Sequence, residues 1–200
     1  MPTPVKPVRA DAVRNRALLL AAAEEEFVER GLDASIADIA ARAGVAKGTV
    51  FRHFDTKDDL IAAIVETHMI ALTTTAHRLL ESDDAGAALL EFLTVAADRR
   101  QQRDVSFLMT ASAANPLVAT LRDDLVADVG SLVEKARNAG AIRADITGTD
   151  VFLLICAPVH VVEFLADPPP DLWRRYLGII FDGMRPQGAT PLSMPAPSWP

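Results

Sequence analysis

The stretch Ser35–Leu60, SIADIAARAGVAKGTVFRHFDTKDDL, limits what this chain can fold into more than any other part of it. Gly44 stands at its centre, and a glycine takes at little steric cost the positive φ that a tight turn between two short helices demands. Ala40 is small enough to let the second helix cross close by, while Ile36, Ile39, Val45 and Val50 supply an apolar underside. Ser35 with Asp38, and Thr56 with Asp59, are spaced as capping boxes, in which hydroxyl and carboxylate each satisfy an amide at a helix start. Two such boxes bracketing a glycine-centred turn predict a helix-turn-helix followed by the start of a long helix.

The surface of the second helix, expected over residues 47–53, carries Lys47, Thr49, Phe51, Arg52 and His53. No acidic residue occurs from Ile39 to Phe54, although the chain as a whole has 27 acids against 20 bases. A local gap in negative charge suits a face that approaches phosphate. Gly48 would let backbone N–H groups come close to a phosphate oxygen. Thr49, Arg52 and His53 are placed to reach base edges in a major groove, where Arg favours guanine. Lys57, at the first turn of the long helix, is a further candidate for phosphate. The candidate DNA-contacting set is therefore Ser35, Lys47, Gly48, Thr49, Phe51, Arg52, His53 and Lys57. Each of these residues taken singly fits an ordinary solvated helix face equally well.

From about Arg14 to Val65 the chain resembles the DNA-binding domain of the tetracycline-repressor (TetR) family, in the elements AAEEEFVERG, IADIAARAGVAKGTVFRHF and KDDL. Phe51 stands where that family usually has Tyr, and Glu24 and Glu26 replace apolar residues common in its first helix. The resemblance implies an all-α chain: an N-terminal three-helix helix-turn-helix DNA-binding domain plus a C-terminal helical domain that binds an effector and dimerises. The expected division is a flexible basic arm over 1–9, the DNA-binding domain over 10–55, the effector-binding and dimerisation domain over 56–185, and a disordered tail over 186–200. What it implies for function is a repressor released from a palindromic operator by a small apolar effector. The partners are then double-stranded DNA, a small molecule and a second copy of the chain. An activator of the same fold, or a helical small-molecule binding protein without a DNA role, are the alternatives.

Composition narrows the choice further. A net charge of −7 excludes a generally sticky nucleic-acid binder, so DNA affinity must come from a local basic surface. A single cysteine, Cys156, excludes an intramolecular disulfide framework and fits a reducing cytoplasm. The apolar run Val151 to Val162 contains Pro158 and His160 and is too short to cross a bilayer. With no signal-peptide pattern at the N-terminus, the expectation is a soluble cytoplasmic protein without membrane contact. The four histidines form no HExxH or Cys/His metal spacing, and no GxSxG, P-loop or GxGxxG is present. No catalytic residue, metal or cofactor is therefore assigned.

Beyond the helix-turn-helix, apolar residues from Leu60 to Leu72 repeat at helical spacing and predict a fourth helix reaching about Leu80. Asn115 followed by Pro116 is a cap and first-turn pair that opens another. Residues 151–166, VFLLICAPVHVVEFLA, predict one helix buried on nearly every side, between its own core and a second subunit. Residues 172–184 write a last amphipathic helix. These two resemble the pair that family members use as a four-helix dimer seam, with Val151, Ile155, Trp173, Tyr176, Ile180 and Phe181 as candidate interface residues. A few polar groups among apolar walls is the usual form of a small-molecule site, and Phe92, Phe107, Met109, Phe152, Cys156, His160 and Phe164 are its candidates here.

Overall fold

The computed structural model describes residues 8–102, 105–155, 157–162 and 164–196, and its regular elements are all helical. They are α1 (Val8–Arg30), a single 3-10 turn (Gly31–Asp33), α2 (Ile36–Arg42), α3 (Lys47–His53), α4 (Lys57–Leu80) and α5 (Ala85–Gln102). There follow α6 (Ser106–Ala111), α7 (Pro116–Asn138), α8 (Gly148–Leu154), α9 (Ala157–Val162) and α10 (Leu172–Met184). The chain divides into two compact units. One comprises the residues up to Thr67 together with Val105–Val118, the other His68–Asp104 and everything from Ala119 onward. The first unit thus runs past the boundary expected at 55/56 and takes in a second segment from the middle of the chain.

In the first unit Leu19, Ala23 and Phe27 line one side of α1 at spacings of four and are 0–1% exposed, as are Ile39 of α2, Val50 of α3 and Leu60 of α4. Gly31 ends α1 with φ +61 and Gly44 turns α2 into α3 with φ +67. A side chain at Gly44 would meet no neighbour, so the backbone conformation itself is what requires glycine there. Gly44→Val is expected to cost about 1–2 kcal/mol of stability through left-handed strain, measurable as a lowered denaturation midpoint with the helical CD signal retained.

The second unit is built on a hydrophobic cluster drawn from the C-terminal part of α4, from α5, the C-terminal part of α7, α8, α9 and α10, with Phe92, Leu132, Val151 and Trp173 among its fully buried members. α7 and α8 approach so closely that a Cβ on Gly148 would lie 2.8 Å from the Gly130 Cα. α8 is opened by a third capping box, Thr147 with Asp150, that the sequence reading passed over. The Asp150 amide donates to Thr147 Oγ1 at 3.3 Å and the Thr147 amide to Asp150 Oδ2 at 2.8 Å. Thr147→Ala should cost about 1 kcal/mol, read as a matching shift in unfolding free energy. Lys135 of α7 closes the end of α4, donating to the Leu80 and Ser82 carbonyls at 2.5 and 2.6 Å.

The helix expected over 151–166 is described in two parts, Gly148–Leu154 and Ala157–Val162, on either side of Cys156. Leu153, Val161 and Leu165 are 57%, 41% and 50% exposed on the single chain, so its own core covers only part of this stretch. One expectation is corrected. The tail is not free from Pro186 onward, since a turn closes from Pro186 to Ala189 over Gly188 at φ +73 and the Arg143 guanidinium donates to the Thr190 carbonyl. The expected arm, up to residue 7, and the tail from 197 lie outside the described residues. By length and composition alone α4 is long and apolar enough to cross a membrane, and 44% of that apolar stretch is buried within the chain.

Candidate nucleic-acid interface

The DNA-contacting candidates fall on one continuous piece of the first unit. On α3, Lys47, Gly48, Phe51 and Arg52 are exposed, Thr49 and His53 are half-buried, and Val50 and the following Phe54 point inward. The helix therefore rests on Val50 and Phe54 and leaves its basic and aromatic groups outward. Lys47 lies 5.8 Å from the Phe51 ring centre, so the ammonium is carried over the aromatic face. No side chain caps α3, since Ala46 precedes it. A Cβ at Gly48 would meet nothing within 4 Å, so packing does not demand glycine there.

Two candidates are already engaged inside the unit. Ser35 acts as a cap: its hydroxyl donates to Asp38 Oδ2 at 2.6 Å and accepts from the Asp38 amide at 3.2 Å. Lys57 Nζ donates to the Leu32 carbonyl and lies 5.6 Å from the Phe27 ring centre.

What holds α2 in place was not legible as such in the sequence. Glu26, 3% exposed, meets Arg42 Nε at 2.7 Å and Arg30 Nε at 3.2 Å. Arg42 also reaches Glu25 at 3.3 Å and Glu29. An apolar position in the first helix of the resembled family has thus become one half of an ionic clasp between α1 and α2, edged by an open groove of about 310 Å³ along Glu26, Arg30, Asp38, Ala41 and Arg42. The carboxylates of Glu26, then Glu29 and Glu25, push the Arg42 guanidinium above its ordinary value. Its charge is therefore constant at any pH where the protein is studied. Asp38 behaves oppositely: hydrogen bonds from Ser35, and then the charge of Arg30, hold its carboxyl below the usual 3.8. A depressed carboxylate contributes stability that is present above its unfolded value and lost as pH falls through the folded one. Asp38→Asn should therefore flatten the acid limb of the stability curve, at and below the usual carboxylate range, as followed by CD.

The effector candidates are divided between the two units. Phe107 and Met109 belong to the first unit, whereas Phe92, Phe152, His160 and Phe164 belong to the second. Phe92 has no exposed surface, so it borders no cavity that a water molecule could enter, and Phe164 is 90% exposed. Phe152 is packed against the edge of the core. His160 is exposed, and its Nε2 lies 3.0 Å from Arg100 Nη2. Cys156 lies outside the described residues. Of the interface candidates, Val151, Trp173 and Phe181 are 0%, 1% and 5% exposed and serve the core of their own unit, which leaves them no surface to offer a second subunit. Ile155, Tyr176 and Ile180 are half-buried at its edge. Among the described residues no group of three or more His, Cys, Asp or Glu side chains is arranged to hold a metal.

Residues 19–64 match the family described as bacterial regulatory proteins, tetR family. Residues 84–186 match the C-terminal domain of SbtR-like transcriptional regulators. The HTH-type transcriptional repressor Rv3405c of Mycobacterium tuberculosis is 49% identical over 76 residues, 38% of this chain and 38% of that protein. The match to this curated relative thus spans well under half of its length. A TetR transcription regulatory protein from Mycobacterium vanbaalenii, known from its crystal structure, is 32% identical with a TM-score of 0.65, over 90% of this chain and 99% of that one. A TetR transcriptional regulator from Streptomyces coelicolor is 29% identical with a TM-score of 0.62, over 86% and 99%.

Proposed function

This chain belongs to the tetR family of bacterial regulatory proteins, and from that premise we propose that it is a DNA-binding transcriptional regulator, a homodimeric repressor released from its operator by a small apolar effector. The observation that carries the DNA-binding part is the outward face of α3, where Lys47, Phe51 and Arg52 stand exposed on a stretch with no acidic residue from Ile39 to Phe54. Two such helices, one per subunit, enter successive major grooves about 34–36 Å apart, one turn of the duplex, so the operator is roughly palindromic. Effector binding to the C-terminal domain shifts α4 and alters that separation, and it does so only through its differential affinity for the two arrangements. The protein works in the cytoplasm, where its DNA is.

The test is a fluorescence titration of the purified protein against the DNA flanking its own gene, repeated over a range of salt concentrations. Tight binding that weakens steeply with salt and exceeds binding to random DNA is expected. Equal affinity for all sequences at every locus tried would remove the regulator reading. Two substitutions locate the contacts. Arg52→Ala should cost about 1–3 kcal/mol of specific binding through a lost base contact; an unchanged ratio of specific to non-specific affinity would take Arg52 off the list of base-reading residues. Gly48→Ala should raise helix stability by about 0.5–1 kcal/mol yet weaken DNA binding, because the new methyl stands where the backbone approaches phosphate.

A further inference from the structure

We infer that Lys57 is a positioning residue of the DNA-reading unit and not one of its phosphate ligands, an inference that rests on the regulator reading above. A cation in the first turn of a helix opposes the helix dipole, whereas the neighbouring Asp58 and Asp59 suit it. The lysine is placed there with its ammonium turned inward. Nζ donates to the carbonyl of Leu32, in the 3-10 turn that follows α1, and rests 5.6 Å from the ring centre of Phe27, a fully buried residue of α1. Reaching out to a phosphate would give up the charge-assisted hydrogen bond and the cation–π contact together.

The consequence for α3 follows from chain length. Phe54 caps the C-terminal end of α3, and α4 begins at Lys57 after a start fixed by the Thr56 and Asp59 box. With two residues between Phe54 and Lys57, whatever ties the first turn of α4 to the end of α1 also fixes where α3 leaves off. Lys57 supplies the charged part of that tie, beside the buried Phe54 and Leu60. Its loss lets the end of α3 shift against α1 and degrades base reading, which depends on placement to a fraction of an ångström, more than it degrades contacts with phosphates, which tolerate displacement.

The experiment compares the wild type with Lys57→Met, which keeps the length of the side chain without donor or charge, and with Lys57→Arg, which restores both. Affinity for operator and for random DNA is measured across salt, and hydrogen exchange of residues 31–34 and 54–58 is measured in the free protein. Positioning predicts that Lys57→Met loses roughly tenfold in operator affinity, the scale of one hydrogen bond to a charged group. It further predicts that affinity for random DNA and the salt slope stay as they were, that exchange rises in both segments, and that Lys57→Arg recovers all of it. A salt slope smaller by about one in Lys57→Met would show a phosphate ligand and overturn the inference. Equal losses on operator and random DNA, with a lowered melting temperature, would show a merely structural residue and overturn it as well. Should the wild type bind no DNA selectively, the regulator reading fails. Unchanged exchange in Lys57→Met removes the anchor whatever DNA the protein binds.

Discussion

Trp173→Ala is expected to destabilise the C-terminal unit by about 3–5 kcal/mol. The indole is 1% exposed and belongs to the hydrophobic cluster that also holds Phe92, Leu132 and Val151. The Arg174 guanidinium sits 4.4 Å from its ring centre, so the substitution removes a cation–π partner along with the buried area. A cavity of that size in a closely packed interior is filled only in part by relaxation of its neighbours. Since whole domains are stable by only about 5–15 kcal/mol, the variant should unfold at a markedly lower urea concentration. The neighbouring Arg175→Ala, on the exposed side of the same helix, is the control, and such surface changes stay within about 0.5 kcal/mol. Equal midpoints for the two variants would mean that Trp173 lies at a surface.

The contrast between these two neighbours shows where the sequence could be read and where it could not. Gly44 and the boxes at Ser35 and Thr56 were legible because each is a local device: the partner of Ser35 is Asp38, and no distant residue enters. Thr147 with Asp150 has the same spacing and was equally open to reading. Glu26 was not. Seen alone it is a carboxylate at an apolar position of α1, and its meaning depends on Arg42, sixteen residues away on another helix. The same limit explains the last helix. Periodicity showed that one face of α10 is apolar, and Trp173, Leu177, Phe181 and Met184 are indeed buried together. It did not show whether that face meets the chain's own core or a second copy. Periodicity reports that a side is dry; the tertiary fold determines what dries it.

Within the proposed homodimer, that distinction selects the residues that decide assembly. A charge at Phe181 is no test of the seam, because it would be buried in the unit's own core and would unfold it. Ile179 on α10, 56% exposed, and Val161 on α9, 41% exposed, carry apolar surface outward from the two helices, with Leu153 of α8 57% exposed nearby in sequence. Large apolar side chains left open to water are candidates for a face that a partner covers. Ile179→Asp combined with Val161→Asp is therefore expected to leave the melting behaviour of the isolated chain little changed and to shift the sedimentation coefficient to that of one chain. Operator affinity should then fall by roughly three orders of magnitude or more, the lower end of the gap between specific and non-specific binding. A lone chain reads one half-site, and the geometric advantage of a linked second half-site disappears with the partner. An unaltered sedimentation coefficient would place the seam elsewhere. Loss of dimers with undiminished operator affinity would instead separate assembly from DNA reading, and the spacing of two recognition helices could then no longer be what the effector controls.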